Sequence, residues 1–87
     1  ISNMAKFIVL NELKEVHDAS KGQVIGHEKG NRVAVNIDQI AYVGMDEWVK
    51  GLPFTYIMFT DDLGRELRVY EEFGLVDHII SEALRSK

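Results

Sequence analysis

Thr55-Tyr56-Ile57-Met58-Phe59-Thr60, then Asp61-Asp62-Leu63-Gly64, then Glu66-Leu67-Arg68-Val69-Tyr70, then Phe73 to Arg85: this run decides the fold. Its first six residues are strand formers. Asp61 to Gly64 is turn chemistry. Leu67 and Val69 alternate with Glu66, Arg68 and Tyr70, which gives the return strand of a hairpin. The period then changes from two to 3.6. Phe73, Val76, Ile79, Ile80, Ala83 and Leu84 share one face of a helix, and Asp77, His78, Ser81, Glu82 and Arg85 take the other. Glu71 and Glu72 near the helix start, and Arg85 and Lys87 near its end, suit the helix dipole.

Upstream, Ile40-Ala41-Tyr42-Val43 reads as a strand. Val33, Val35 and Ile37 alternate with Arg32, Ala34 and Asn36 as another, with Asp38-Gln39 as the break between them. Phe7-Ile8-Val9-Leu10 is the first strand. Asn11 to Asn31 is polar and carries Gly22, Gly26 and Gly30. It is expected to be mostly loop, with Gln23-Val24-Ile25 pairing briefly. Gly44 to Pro53, ending in the only proline, is expected to be a second loop. An isolated hairpin is marginally stable, and the helix stripe is the large apolar surface available to cover the sheet. The expectation is therefore a two-layer α+β fold, a small antiparallel β-meander packed by one C-terminal helix. It forms one domain over residues 4–87, with Ile1-Ser2-Asn3 read as an expression remnant ahead of Met4.

Eighty-seven residues suffice for one modest core. The absence of cysteine excludes disulfides, thiolate metal sites and cysteine nucleophiles, and it fits a reducing compartment. The net charge is -4 and the basic residues are scattered, which argues against a nucleic-acid partner. No apolar run approaches the length of a spanning helix, and no signal peptide is visible. A cytoplasmic protein without a membrane partner is expected.

The order of Val35-Asn36-Ile37-Asp38-Gln39-Ile40, Tyr56-Ile57-Met58-Phe59, the Asp62 to Gly64 turn and Val69-Tyr70-Glu71 resembles the small flagellar FlbD-like domains and similar short bacterial or phage proteins. The likeness runs from Val33 to Leu84. The long Asn11–Asn31 segment and the Trp48-bearing loop depart from it. The resemblance implies a binding or regulatory role and carries over no catalytic residues.

Tests for chemistry find little. His17, Asp18, His27 and Glu28 could supply metal ligands from one polar segment, but their spacing matches no helical pair or short metal motif. Asp61-Asp62 and Glu71-Glu72 are adjacent in sequence, so neither pair converges on a substrate by itself. The glycines lack phosphate-loop spacing, and Ser20 and Ser81 lack a nucleophile elbow. No enzyme and no cofactor are expected.

One feature asks for a binding explanation. Tyr56-Ile57-Met58-Phe59 is apolar on both faces, whereas a half-wet sheet should alternate. Ile57, Phe59, Leu67 and Val69 go to the helix side. That leaves Tyr42, Tyr56, Met58 and Tyr70, with Trp48 nearby, on the second face. Met45, Leu52 and Phe54 add to the surplus. Either the two long loops fold over this face, or it meets a partner, most simply another copy. The leading reading is a non-enzymatic interaction or regulatory module that self-associates through its sheet face. The alternative is a small ligand- or metal-binding domain using the His17/His27 loop.

Overall fold

The computed structural model describes residues 6–61 and 64–85. Ile1 to Asn3, read above as a remnant, together with Met4, the Asp62-Leu63 part of the predicted turn, and Lys87 lie outside them. The elements are β1 (Phe7–Asp18), β2 (Gln23–Asn36), a 3-10 turn (Ile37–Gln39), β3 (Ile40–Val49), β4 (Leu52–Phe59), β5 (Glu66–Val69) and α1 (Phe73–Arg85). The strands form one antiparallel sheet in the order β2-β1-β5-β4-β3. The expected two-layer α+β fold is the one observed: β3, β4 and β5 make the meander, and α1 packs on the sheet. The β1–β2 hairpin joins through β1 beside β5.

Register follows from the hairpin pattern. Ile57 faces Leu67 and Thr55 faces Val69, while Tyr56 faces Arg68 and Met58 faces Glu66. Side chains alternate faces along a strand, so the first two pairs look toward the helix and the last two away from it. Leu10, Ile57, Val69 and Val76 are fully buried, and Ile8, Val35 and Ile37 complete the core. Each such side chain contributes about 1.5–3 kcal/mol by leaving water. Val33, Ile40, Val43, Phe59, Leu67, Ile79, Ile80 and Ala83 pack around them, partly buried. The helix stripe is narrower than its periodicity predicts, because Phe73 and Leu84 at its ends remain exposed. At the C-terminal end the Lys6 ammonium donates to the Ala83 carbonyl at 2.9 Å, where the dipole favours a cation.

Both predicted loops are instead strands. β1 continues past Asn11 to Asp18 and pairs with β2, which begins at Gln23. Most of this outer ribbon is exposed or only partly buried on both faces, so no apolar alternation marks it in the sequence. Its turn is built by Asp18. That backbone carbonyl accepts from Gly22 N at 2.7 Å and Lys21 N at 3.2 Å, and Gly22 takes φ +67°, which a residue without Cβ does at no steric penalty. The Asp18 carboxylate accepts from the Ser20 hydroxyl at 2.7 Å and the Ser20 amide at 2.9 Å. These bonds, the hydroxyl first, hold its pKa below the usual carboxylate range. The support they give the turn is present above the ordinary carboxylate pKa and is lost as pH falls through the lowered one.

The second predicted loop is the β3–β4 hairpin. It closes with Val49 facing Leu52 across Lys50-Gly51, and Gly51 takes φ +85°. That value suits the third position of a type II turn. Pro53 sits in β4 where the register with β3 is irregular and beyond the pairs with β5. A missing N–H is tolerated there.

The two parts of the sheet meet narrowly. Among the described residues β1 and β5 share one register pair, Glu12 with Val69, and Tyr70 N donates to the Asn11 carbonyl at 2.9 Å. A side chain then extends the ladder. The Glu71 carboxylate accepts from Asn11 N at 3.0 and 3.2 Å and from Asn11 Nδ2 at 2.6 Å. Directly after this junction the β1–β2 register slips, between Asn11 and Leu13. Gly30 lies so close there that a Cβ would stand 2.9 Å from the Glu12 carbonyl oxygen.

Candidate functional site

The sheet face away from the helix carries a row of aromatic rings. In register, Tyr42 faces Met58, Gly44 faces Tyr56, and Asp46 faces Phe54. The Tyr42 and Tyr56 rings meet edge-on at 6.1 Å, Tyr56 and Phe54 are 6.4 Å apart, and Trp48 meets Phe54 edge-on at 4.8 Å. Gly44 makes room for this row, since the Tyr56 ring lies where its Cβ would be, 2.6 Å from the hydroxyl oxygen. No larger residue fits without moving Tyr56.

Two charged groups fix the row. The Arg68 guanidinium lies 3.7 Å from the Trp48 ring centroid and 5.7 Å from that of Phe54, in the range of a cation–π contact. Glu66 pairs with it at 3.5 Å. The Trp48 indole N–H donates to Asp46 Oδ2 at 2.9 Å. Arg68 is thus paired with an opposite charge, Glu66, while the Asp46 carboxylate is hydrogen-bonded to the neutral indole and keeps its charge.

Tyr42, Trp48, Tyr56 and Met58 come together on one face as period-two reading expects. Tyr42 and Trp48 are each 54% exposed, and Tyr56 and Met58 are half-buried. Tyr70 stands apart, just past the end of β5, with the Lys29 ammonium 5.8 Å from its ring. Met45 is not in the row: it faces Thr55, on the helix side. Phe54 is the hub and is only 6% exposed. His27, from the outer ribbon, covers it edge-on at 6.4 Å. Of the two alternatives for this face, coverage by the Asn11–Asn31 segment holds at one corner only, and Tyr42 and Trp48 stay open. Arg68 was placed on this face by alternation. Its stacking on Trp48 has no sequence signal, because it depends on the β3–β4 hairpin, whose Gly44 to Pro53 sequence has the composition of a loop.

The loop histidines are dispersed along the ribbon. His27 faces Glu15 and His17 faces Val24. His17 Nε2 lies 3.9 Å from Glu15, and Asp18 is engaged in its turn. Among the described residues no three His, Asp or Glu side chains converge to hold a metal. A chelator is expected to leave the melting temperature unchanged, because a metal that binds the native state would raise it. A fall of several degrees, reversed by added zinc, would show that these residues do gather around an ion.

An open groove of about 760 Å³ lies at the start of the helix. Leu13 and His27 of the ribbon form one side, and Met45, Phe54, Phe73 and Leu75 of the body form the other. Among the described residues no helix is long and apolar enough to cross a membrane. No family model, curated protein or solved structure matches the chain.

Proposed function

We propose that this chain is a non-enzymatic interaction module that self-associates by packing the aromatic sheet face of one copy against that of another. The observation that carries the reading is the Tyr42–Tyr56–Phe54–Trp48 row with Arg68 stacked on it, open to solvent at both ends. Tyr, Trp, Met and Arg are the residue types enriched in interface cores and hot spots. The choice of a second copy rests on charge. The chain is net -4, yet on this face Arg68 is paired with Glu66 and Asp46 is hydrogen-bonded to the Trp48 indole, so no block of one sign stands open. A face built for a strongly basic or acidic partner would show one sign. A two-fold dimer burying about 800 Å² per subunit is the ordinary form. The FlbD-like resemblance implies a role of the same class, binding or regulation.

Met58→Lys tests this. Met58 is half-buried and faces Glu66 and Tyr42 across the strands. In a monomer the lysine head stays in water beside Glu66, so the fold is retained. In a face-to-face dimer it becomes a desolvated charge. Light scattering coupled to size exclusion is expected to show a dimer for the wild type and a folded monomer for the variant. A wild type that is monomeric at high micromolar concentration, or a Met58→Lys chain that still dimerises, sinks the reading.

A further inference from the structure

We infer that the outer half of the β1–β2 ribbon, residues 13–29, is a flap that opens as one unit about the Glu12/Gly30 register slip, uncovering Phe54 and the groove beside it. The inner half of the ribbon belongs to the body: Ile8, Leu10 and Val35 lie in the core. The outer half does not. Past Glu12, β1 no longer pairs with β5. The two strands part there, leaving a shallow gap lined by Lys14, Glu15 and His17 on one side and Glu66 and Arg68 on the other. Opening widens this gap and breaks no backbone ladder.

Among the described residues, two ring contacts tie the flap to the body, His27 edge-on to Phe54 and Lys29 over Tyr70. The first lies over the buried Phe54 and the second joins two exposed groups, and contacts to ring faces or edges are weak beside core burial. The hinge is where the backbone is already irregular. The register slips between Asn11 and Leu13, and glycine at position 30 lets the two strands approach closely. Segments with few buried apolar contacts open locally well before the whole fold does. The flap stays internally paired from Leu13–Lys29 to Val16–Gly26 and, past a second slip, from His17–Val24 to Asp18–Gln23, so it moves as a ribbon and does not melt strand by strand.

The consequence for binding rests on the sheet-face reading. With the flap closed, Phe54 is shielded by His27; with it open, Phe54 joins Trp48 and Tyr56 as accessible surface. The motion itself does not depend on that reading, and the test keeps the two apart.

Relaxation dispersion at the backbone amides, followed residue by residue, measures it, because a ribbon that keeps its own ladder exposes no ladder amide on opening and such motions fall in the microsecond-to-millisecond range. His27, Lys29, Phe54 and Tyr70, whose surroundings differ between the closed and open states, are expected to share one exchange rate, while Ile8, Leu10, Val33 and Val35 show no exchange. His27→Ala is expected to raise the open population about threefold, the size of one lost aromatic contact, and to leave the inner set unchanged. The same absence of exchange in both sets overturns the inference. So does exchange confined to the residues around the Ser20 turn, which is fraying, or a His27→Ala effect shared equally by the core. Repeating the measurement at tenfold dilution separates the two proposals. If sheet-face association fails, the rates do not change with concentration, and the contrast between the two sets still stands or falls on its own.

Discussion

Val76→Asp is expected to leave the chain unfolded at room temperature. Val76 is fully buried and sits in the turn of α1 that first meets the sheet, with its amide bonded to the Glu72 carbonyl at 3.0 Å. The substitution removes a side chain whose burial contributes about 1.5–3 kcal/mol. It also places a carboxylate among Leu10, Ile57 and Val69, where no charged side chain among the described residues is buried, and such a group left unpaired costs at least several kcal/mol more. A domain of this size has about 5–15 kcal/mol in total. Ile79, Ile80 and Ala83 then lose their platform, since α1 is the layer that covers the sheet. Ile80→Asp is a milder version, because Ile80 is partly exposed. His78→Ala is the control, being exposed on the far face, and should stay within about 0.5 kcal/mol. Far-ultraviolet circular dichroism with a thermal melt separates the cases. A cooperative melt for Val76→Asp near that of the wild type would mean that α1 does not close this core.

Glu71→Ala is expected to lower stability by about 2 kcal/mol, roughly ten degrees in Tm for a domain of this length. Glu71 directly precedes Glu72 at the foot of the helix, and the two invite a shared dipole explanation. They have different jobs. Glu71 reaches across to β1 and accepts from both the backbone amide and the side-chain amide of Asn11. Truncation leaves those two donors without a partner in a part-buried site, and the desolvation penalty of an unpaired group exceeds the net worth of an ordinary hydrogen bond. Glu71→Gln retains one acceptor oxygen and should lose about half as much. Among the described residues the Glu72 side chain makes no comparable contact, so Glu72→Ala serves as the neighbouring control. Equal melts for Glu71→Ala and Glu72→Ala would show that the Asn11 contact does not hold the sheet together.

How much could be read beforehand varied with how each element meets water. The β4–β5 hairpin and α1 were legible because each has one wet and one dry face, and the period of their apolar residues reports that directly. The same alternation put Tyr42, Tyr56 and Met58 on the face away from the helix. The outer ribbon was not legible. Lys14, Glu15 and His17 on β1 and Glu28 and Lys29 on β2 meet solvent on both faces, so period-two contrast disappears where the pairing continues. Its glycines read as loop residues, yet only Gly22 serves a turn; Gly30 serves a close approach to Glu12. Gly44 misled in the same way, being small because the Tyr56 ring lies over it. Sequence periodicity also could not show that Phe54 would be the buried hub, since that needs His27 and Trp48 brought in by two hairpins that were both read as loops.

The strand order sets a sequence of events as well as a shape. β1–β2 and β3–β4 each join neighbours in the chain, and hairpins of this kind form in about 1–10 μs. The four residues of β5 must then fit between β1 and β4, and the contact that fastens them to β1 joins residues sixty positions apart. Contacts so distant in sequence are entropically slow to close. The docking of β5, with α1 behind it, is therefore expected to be the slow step of folding. During synthesis the two hairpins, each marginal by itself, gain their shared core only once β5 and α1 have emerged between and behind them.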